Sequence, residues 1–286
     1  MKLAYYPGCL LTKSAREYDD SLRECVRLLG DELVEILARH CCGGVSFAAV
    51  KEALTADFAE SILQSAAETG ADALLVPCPY CHDNLRLSGA GGAIELFSTA
   101  AYLIRSRCAK ALSAMKEKGW EGLKAAFFPG CRAACSELDS QAAVKSLLEG
   151  AGVTWVNWAE AGLCCGGWRA EALPGEALEH VIRVLSGARE AQAQAVVTLC
   201  PVCQTNLDVL QVDAERRLAR GLELPVFFAT ELLAHALGSK RTSKWLRRHI
   251  TSPEPLIMNL LEHTRETVPP SGAGEGVDHE GSHSGS

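Results

Sequence analysis

The sequence has 286 residues, of which 48% are hydrophobic and 22% charged, and its net charge is −7. This length allows one large domain or two modest ones with a substantial core. The acidic balance argues against nonspecific nucleic-acid binding. The sequence contains no uniformly apolar run of 18 residues, so we do not predict a membrane span. The first residues lack the pattern of a secretory signal, so we expect a cytoplasmic protein.

Strand and helix signals alternate along the first part of the chain. Short apolar segments predict strands over Lys2–Tyr6, Glu32–Leu37, Ala73–Val76 and Ile94–Phe97. Ser14 followed by Glu17 is typical of a capping box, so we predict a helix that starts there and ends at Gly30. Further helices are predicted over Ala56–Glu68, near the Cys78-x-x-Cys81 segment, and over Thr99–Lys116.

The second part of the chain repeats this order. Predicted strands cover Lys124–Phe128, Thr154–Asn157, Ala195–Thr198 and Val226–Phe228, and predicted helices cover Ser140–Glu149, part of Glu176–Gln192, and Glu231–Leu237. Strands that alternate with helices indicate parallel sheets covered by helices. We therefore predict an α/β fold of two pseudo-symmetric repeats, each a small, mostly parallel sheet flanked by helices.

Five cysteines in each part show that the two parts are copies of one unit. The first copy has Cys9, Cys41-Cys42 and Cys78-x-x-Cys81, and the second has Cys131, Cys164-Cys165 and Cys200-x-x-Cys203, at offsets of 122 or 123 residues. Self-similarity at a fixed period indicates a structural repeat. We predict a first cysteine-rich domain at 1–118, a second at 119–261, and a disordered tail at 262–286.

Thirteen cysteines are many for a chain expected in a reducing compartment, where thiols more often bind metals or catalyse reactions than form disulfides. A structural zinc ion or a cubane cluster takes four thiolates, whereas each copy offers five. Two of the five are adjacent, and neighbouring side chains reach two irons of a larger cluster more easily than one small ion. We therefore favour an iron–sulfur cluster in each copy, with zinc or disulfides as alternatives.

This cysteine pattern resembles the cysteine-rich CCG domain, and two such units in one short chain resemble the B-subunit family of heterodisulfide reductases. The likeness covers nearly the whole chain to about Leu256. It implies that each copy binds a non-cubane 4Fe–4S cluster through its five cysteines, and that the two clusters flank and cleave a disulfide. The ligands so implied are Cys9, Cys41, Cys42, Cys78 and Cys81 in one copy and Cys131, Cys164, Cys165, Cys200 and Cys203 in the other.

The resemblance also implies partners, because the sequence has no flavin or nicotinamide fingerprint of its own. These partners would be a ferredoxin-like iron–sulfur subunit and a flavin subunit. The substrate would be a small disulfide or carrier-bound sulfur compound, which is cleaved or formed. CCG domains also resemble parts of quinone-linked dehydrogenases, so an electron-transfer subunit of such an enzyme is the alternative. The candidate membrane-binding helix, Lys244–Leu261, is interrupted by Pro253 and Pro255.

Two histidines beside the motifs are candidate catalytic residues. His40 precedes the first cysteine pair and His82 follows Cys81, so either can carry protons to product thiolates or line the site. A plain loop position is the alternative for His40. Asn84 and Asn206 occupy matched positions and can donate hydrogen bonds near a cluster or take part in a cap or turn.

Other residues outside the repeated pattern have simpler predicted roles. Cys25 and Cys108 lie on apolar helix stripes, so we predict that they are core residues. Cys135 has no counterpart in the first copy, where Lys13 stands, and is either an inert buried thiol or a sixth thiol near the site. The basic run Lys240–Arg248 either docks an anionic partner or forms a solvated helix face.

Overall fold

The computed structural model describes residues 1–38, 40–44, 52–88, 94–115, 119–132 and 138–267. In the first copy, strands alternate with helices as the apolar spacing predicts. The strands are β1 (Lys2–Tyr5), β2 (Glu32–Glu35), β3 (Ala73–Leu75) and β4 (Glu95–Phe97). The helices are α1 (Gly8–Leu11), α2 (Arg16–Leu28), α3 (Glu52–Ala67), α4 (Pro79–Leu87), α5 (Thr99–Arg105) and α6 (Cys108–Ser113).

The second copy has the same succession of elements, followed by additional helices. Its strands are β5 (Lys124–Phe127), β6 (Thr154–Trp155), β7 (Ala195–Thr198) and β8 (Val226–Phe228). Its helices are α7 (Leu138–Gly150), α8 (Pro174–Glu190), α9 (Pro201–Val209), α10 (Gln211–Leu218), α11 (Ala229–Ala236), α12 (Thr242–Leu246) and α13 (Glu254–Thr267). Short 3-10 turns at Ala159–Gly162 and Gly167–Arg169 flank the second cysteine pair.

The two sheets have the same strand order and are parallel throughout. The first sheet runs β2-β1-β3-β4 and the second β6-β5-β7-β8. In the first, Leu3 pairs with both Leu33 and Ala73, and in the second Ala126 pairs with Val196. All adjacent strands are parallel, so their carboxyl ends meet at one edge of each sheet. The predicted α/β fold of two pseudo-symmetric repeats is confirmed.

Buried side chains on the two faces of the sheets form two apolar cores, and each core contains residues of both copies. Leu3 and Tyr5 of β1 point into one core, whereas Ala4 and Tyr6 point into the other. This alternation follows from the two-residue period of a strand. Because β1 is covered on both faces, it is buried along almost its whole length, as is usual for parallel sheets.

The two copies are held together chiefly by α2 of the first and α11 of the second. Ser21 Oγ lies 2.7 Å from Thr230 Oγ1, and both side chains are buried. The rings of Tyr18 and Phe228 stack with their centroids 4.2 Å apart. The copies therefore share a buried interface in which two hydroxyls and two stacked aromatic rings meet.

Several predicted helix bounds differ from the structure by a few residues, and two predicted features of the helices are wrong. The predicted helix over Thr99–Lys116 divides into α5 and α6, because Ser106 adopts an extended ψ of 177° and its Oγ accepts from the Cys108 N–H. Ser14 does not cap α2. The N–H groups of Lys13 and Ala15 both bond to the Leu10 carbonyl, and this turn places Ala15 at the cap position.

The domain boundaries predicted at 118 and 261 stay a prediction. Part of the predicted tail, residues 268–286, lies outside the described residues.

Candidate functional site

The first cysteine of each copy follows a glycine just beyond the end of β1 or β5. Gly8 has a φ of +71° and Gly130 a φ of +80°. A Cβ atom would lie 3.1 Å from Cys81 Sγ if added to Gly8, and 2.9 Å from Cys203 Sγ if added to Gly130. Glycine therefore serves twice here, since it permits the left-handed backbone and leaves room for the sulfur.

The adjacent cysteines are held by the glycines that follow them. The N–H of Gly43 donates to Cys41 Sγ at 3.4 Å, and that of Gly44 donates to Cys42 Sγ at 3.4 Å. In the second copy the same two contacts are 3.3 and 3.4 Å long. Hydrogen bonds from backbone N–H groups stabilise negative charge on sulfur. The double glycine after each pair thus places one backbone donor on each of the two sulfurs.

The Cys-x-x-Cys segment opens a helix in both copies, which the sequence predicted for the first copy. Cys78 is the residue before α4, Pro79 is the first helical residue, and Cys81 lies in the first turn. Proline suits this position because its missing N–H has no partner within the helix. In the second copy, Cys200 and Cys203 take the same places on α9. A helix N-terminus attracts negative charge, so it suits a group of thiolates bound to a metal centre.

A side-chain amide ties each of these helices to the cysteine pair of its own copy. Asn84 Nδ2 donates to the Cys42 carbonyl at 2.6 Å, and Asn206 Nδ2 donates to the Cys165 carbonyl at 2.6 Å. The matched asparagines therefore fix the distance between the pair and the Cys-x-x-Cys segment. They do so through the backbone of the pair.

The five thiols of each copy lie in contact as a chain. Cys41 Sγ is 3.8 Å from Cys9 Sγ, and Cys42 Sγ is 3.2 Å from Cys81 Sγ. The second copy has the same order of contacting thiols: Cys131, Cys164, Cys165, Cys203 and Cys200. Every cysteine in the described ranges is a free thiol.

Crowding makes it difficult for all five thiols to ionise together. The pKa of Cys165 is lowered to about 5 because the thiols of Cys164 and Cys203 hydrogen-bond to it. The pKa of Cys203 is raised, first by its hydrogen bond to Cys165 and also by burial. Metal ions supply the missing positive charge and keep bound thiols deprotonated. The donor set therefore fits a thiolate-bound metal centre, although no group of three or more His, Cys, Asp or Glu in the described chain is arranged for one metal ion.

A cavity of about 460 Å³ lies between the two copies. All five first-copy cysteines line it on one side, and Val202, Val209 and Leu210 line it on the other. Among the described lining residues, Glu171 is the one charged side chain. Thr205 Oγ1 also belongs to this lining and is buried without a hydrogen-bond partner in the described structure. The cavity thus offers a mostly apolar wall opposite a row of sulfurs.

Tyr80, which was not predicted from the sequence, connects the two sites. It lies between Cys78 and Cys81, it is 7% exposed, and it lines the cavity. Its hydroxyl is 4.0 Å from Cys131 Sγ of the other copy. The one signal in the sequence is the mismatch between Tyr80 and Val202 within an otherwise repeated motif.

The two predicted catalytic histidines lie beside the first site but are not among the described residues that line the cavity. His40 Nδ1 contacts the Cys41 carbonyl at 3.2 Å, and its Nε2 contacts Ser61 Oγ at 3.2 Å. His82 lies in α4, with its N–H bonded to the Cys78 carbonyl. Their catalytic role stays a prediction.

The remaining sequence predictions have mixed outcomes. Cys25 and Cys108 are fully buried in the core, as predicted. Cys135 lies outside the described residues. Part of the basic run packs on the first copy, because several of its cations pair with acids of α2. Its docking of an anionic partner stays a prediction. Lys244 Nζ and Arg248 Nη1 lie 3.4 and 2.9 Å from Asp20 Oδ2. Among the described helices, none is long and apolar enough to cross a bilayer.

Comparison with known families explains the repeat. The cysteine-rich domain family CCG matches residues 3–86 and again residues 125–208. These two ranges carry all ten matched cysteines and most of the first three strands of each sheet, whereas β4 and β8 lie outside them. The chain belongs to this family, and the predicted resemblance is confirmed.

Two relatives carry names that describe parts of reductases. The 8-methylmenaquinol:fumarate reductase membrane anchor subunit of Wolinella succinogenes is 26% identical over 263 residues, with 83% of this chain and 92% of the relative covered. The B subunit of the ferredoxin/F420H2-dependent CoB–CoM heterodisulfide reductase of Methanosarcina acetivorans is 23% identical over 278 residues, with 83% and 89% covered. The chain is thus similar, at a distance, to both.

A solved structure shares the fold. A hypothetical protein from Helicobacter pylori superimposes with a TM-score of 0.72 at 11% identity, over 88% of this chain. The match covers 52% of that protein, so this chain spans about half its length. At this identity the likeness shows the fold alone.

Proposed function

We propose that this protein is an iron–sulfur electron-transfer subunit of a multi-subunit oxidoreductase. The observation that carries the proposal is the repeated chain of five contacting thiols, with two backbone N–H donors on each adjacent pair. Iron–sulfur clusters are held by such thiolates. The proposed ligands of two four-iron, non-cubane clusters are Cys9, Cys41, Cys42, Cys78 and Cys81 for one, and Cys131, Cys164, Cys165, Cys200 and Cys203 for the other.

The first reaction we propose is the reductive cleavage of a disulfide, or its reverse. Cleavage breaks one S–S bond with two electrons and two protons and gives two thiols. The two clusters, when bound, supply one electron each. The relative whose name describes part of a heterodisulfide reductase supports this reaction. The partners would be a ferredoxin-like iron–sulfur subunit and a flavin subunit, with the complex in the cytoplasm.

In this reaction the chain holds the substrate in the shared cavity. Val202 and Val209 would pack against the body of the disulfide and exclude water, and Thr205 Oγ1 offers a buried hydrogen-bonding group. His40 and His82 remain our candidate proton carriers. Replacing either histidine by Gln tests that role, since loss of a proton carrier slows disulfide cleavage without changing the iron content.

The second candidate is electron transfer towards a membrane quinone. Two observations favour it: the relative named as the membrane anchor of a methylmenaquinol:fumarate reductase, and the apolar lining of the cavity. Among the described lining residues, none is basic, and a strongly anionic disulfide prefers cationic side chains. In this case partner subunits would hold the protein at the membrane.

Elemental analysis tests the clusters. Protein purified and reconstituted without oxygen should contain about eight irons with matching sulfide per chain. The double variants C41S/C42S and C164S/C165S should each lose about half of that iron, which provides a matched pair. Zinc with little iron would contradict the proposal, and so would loss of all iron from either variant alone.

A second experiment separates the two reactions. The reduced, reconstituted protein is mixed either with small disulfides or with a soluble menaquinone analogue, and reoxidation is followed by electron paramagnetic resonance. Reoxidation by disulfides with release of two thiols supports the first reaction. Reoxidation by the quinone alone supports the second. Protein that responds to neither would contradict both.

A further inference from the structure

The pseudo-symmetry of the chain provides an internal comparison between the two sites. The backbone donors to the cysteine pairs agree within 0.1 Å, at 3.4 and 3.4 Å in one copy and 3.3 and 3.4 Å in the other. The asparagine contacts are 2.6 Å in both. Both Cys-x-x-Cys segments open helices behind a proline. These shared features would affect both sites equally.

Two of the residues that break this symmetry lie at the second site. Tyr80 belongs to the first copy, but its hydroxyl lies 4.0 Å from Cys131 Sγ, and its counterpart is Val202. Arg132 directly follows Cys131, and its counterpart is Leu10. The second site therefore has a hydroxyl donor and a cation at positions where the first site has apolar side chains.

These two residues support each other. The Arg132 guanidinium lies 4.8 Å from the centroid of the Tyr80 ring, and its Nη1 lies 3.8 Å from Asp83 Oδ2. Asp83 also pairs with Arg86 at 3.7 Å. Two arginines thus share one carboxylate, which leaves a net positive charge beside the ring. A cation over an aromatic face also helps to hold the ring in place.

The first site has a polar neighbour of a different kind. The ring nitrogens of His40 contact the Cys41 carbonyl and Ser61 Oγ, and neither contact is to a thiol sulfur. The hydroxyl of Tyr6, which is also near this site, donates to the His40 carbonyl at 2.7 Å. Phe128 replaces Tyr6 in the second copy.

We propose that Tyr80 and Arg132 are positioning residues that make the second site the more easily reduced of the two. This inference rests on the proposed function, since it concerns the clusters assigned there. Reduction adds negative charge, which a hydroxyl donor and a nearby cation stabilise. Electrons that enter at the first site would then settle at the second, across Tyr80.

The test is a redox titration of the reconstituted protein, followed by electron paramagnetic resonance. We expect two resolved potentials in the unmodified protein. Tyr80→Phe and Arg132→Leu should each lower the higher of the two potentials by about 59 mV, which corresponds to a tenfold change in a one-electron redox equilibrium. The lower potential should stay unchanged. Equal potentials, or shifts of both clusters together, would overturn the inference.

Two controls assign the effect to the second site. Tyr6→Phe removes a hydroxyl near the first site and should leave the higher potential unchanged. Tyr80→Phe in the C41S/C42S background should still shift the remaining cluster, and in the C164S/C165S background it should not. The opposite pattern would show that Tyr80 acts on the first site.

A readout on the metal-free chain keeps the inference separate from the proposed function. In reduced, metal-free protein, Tyr80→Phe should slow alkylation of Cys131, measured by mass spectrometry, and leave the rate at Cys9 unchanged. If Tyr80→Phe slows alkylation of Cys131 but the protein does not load two clusters, the proposed function is refuted and the contact between Tyr80 and Cys131 is supported. An unchanged rate at Cys131 would refute the contact itself.

Discussion

Gly130→Ala is the substitution that tests the geometry of the site most directly. Gly130 has a φ of +80°, and an added Cβ would lie 2.9 Å from Cys203 Sγ. The left-handed backbone alone costs an alanine about 1–2 kcal/mol. The close contact adds to this cost, because Cys203 Sγ must move to make room for the added methyl group. We therefore expect a loss of about 1–2 kcal/mol or more in unfolding free energy, together with loss of about half of the iron.

Gly70→Ala is the matched control for backbone strain. Gly70 has a φ of +60°, but nothing lies within 4 Å of an added Cβ. Urea unfolding should therefore show a similar strain cost of about 1–2 kcal/mol, whereas iron loading stays complete. Gly8→Ala, with its Cβ 3.1 Å from Cys81 Sγ, should affect the first site in the same way as Gly130→Ala affects the second. Full iron loading by Gly130→Ala would refute the close approach of backbone and sulfur.

Two further predictions concern buried polar groups. Asn206→Ala leaves the Cys165 carbonyl without its donor, so we expect a loss of about 1–3 kcal/mol in urea unfolding, and no loss would contradict the tie between α9 and the cysteine pair. His249 lies 2.9 Å from Glu231, and although burial opposes it, this carboxylate raises the pKa of His249 to about 9. The stability that the His249–Glu231 pair adds is complete below about pH 6.5 and is lost as the pH rises through about 9. The difference in unfolding free energy between wild type and His249→Gln should therefore shrink across that range. A difference that does not change with pH would contradict this prediction.

Much of the fold could be predicted because the local signals agree with the tertiary structure. Ala195–Thr198 and Val226–Phe228 are strands with the predicted bounds, since each is a compact apolar run that the sheet buries completely. The division between α5 and α6 was missed for a local reason. Ser106 bonds to the backbone on both sides of the division, at the Leu103 carbonyl and the Cys108 N–H, and this competes with the helix.

The positions of the cysteines could also be predicted, because parallel strands bring their carboxyl ends to one edge. Contacts between the copies could not be predicted, because a repeat shows which residues occupy equivalent positions and not which residues contact each other. Tyr80 and Cys131 are separated by 51 residues and belong to different units. Lys244 and Arg248 looked like a free basic surface for the same reason, since their partner Asp20 lies on α2.

The buried contacts between the copies explain why one chain carries both units. Ser239 Oγ donates to Glu24 Oε1 at 2.9 Å, and Cys25 Sγ donates to the Thr230 carbonyl at 3.4 Å, both across the interface of the copies. A half expressed alone would expose these polar groups together with the shared cores. The cavity has one wall from each copy, so its shape depends on this interface. A fused, internally packed pair of domains therefore keeps the two sets of thiols at a fixed separation.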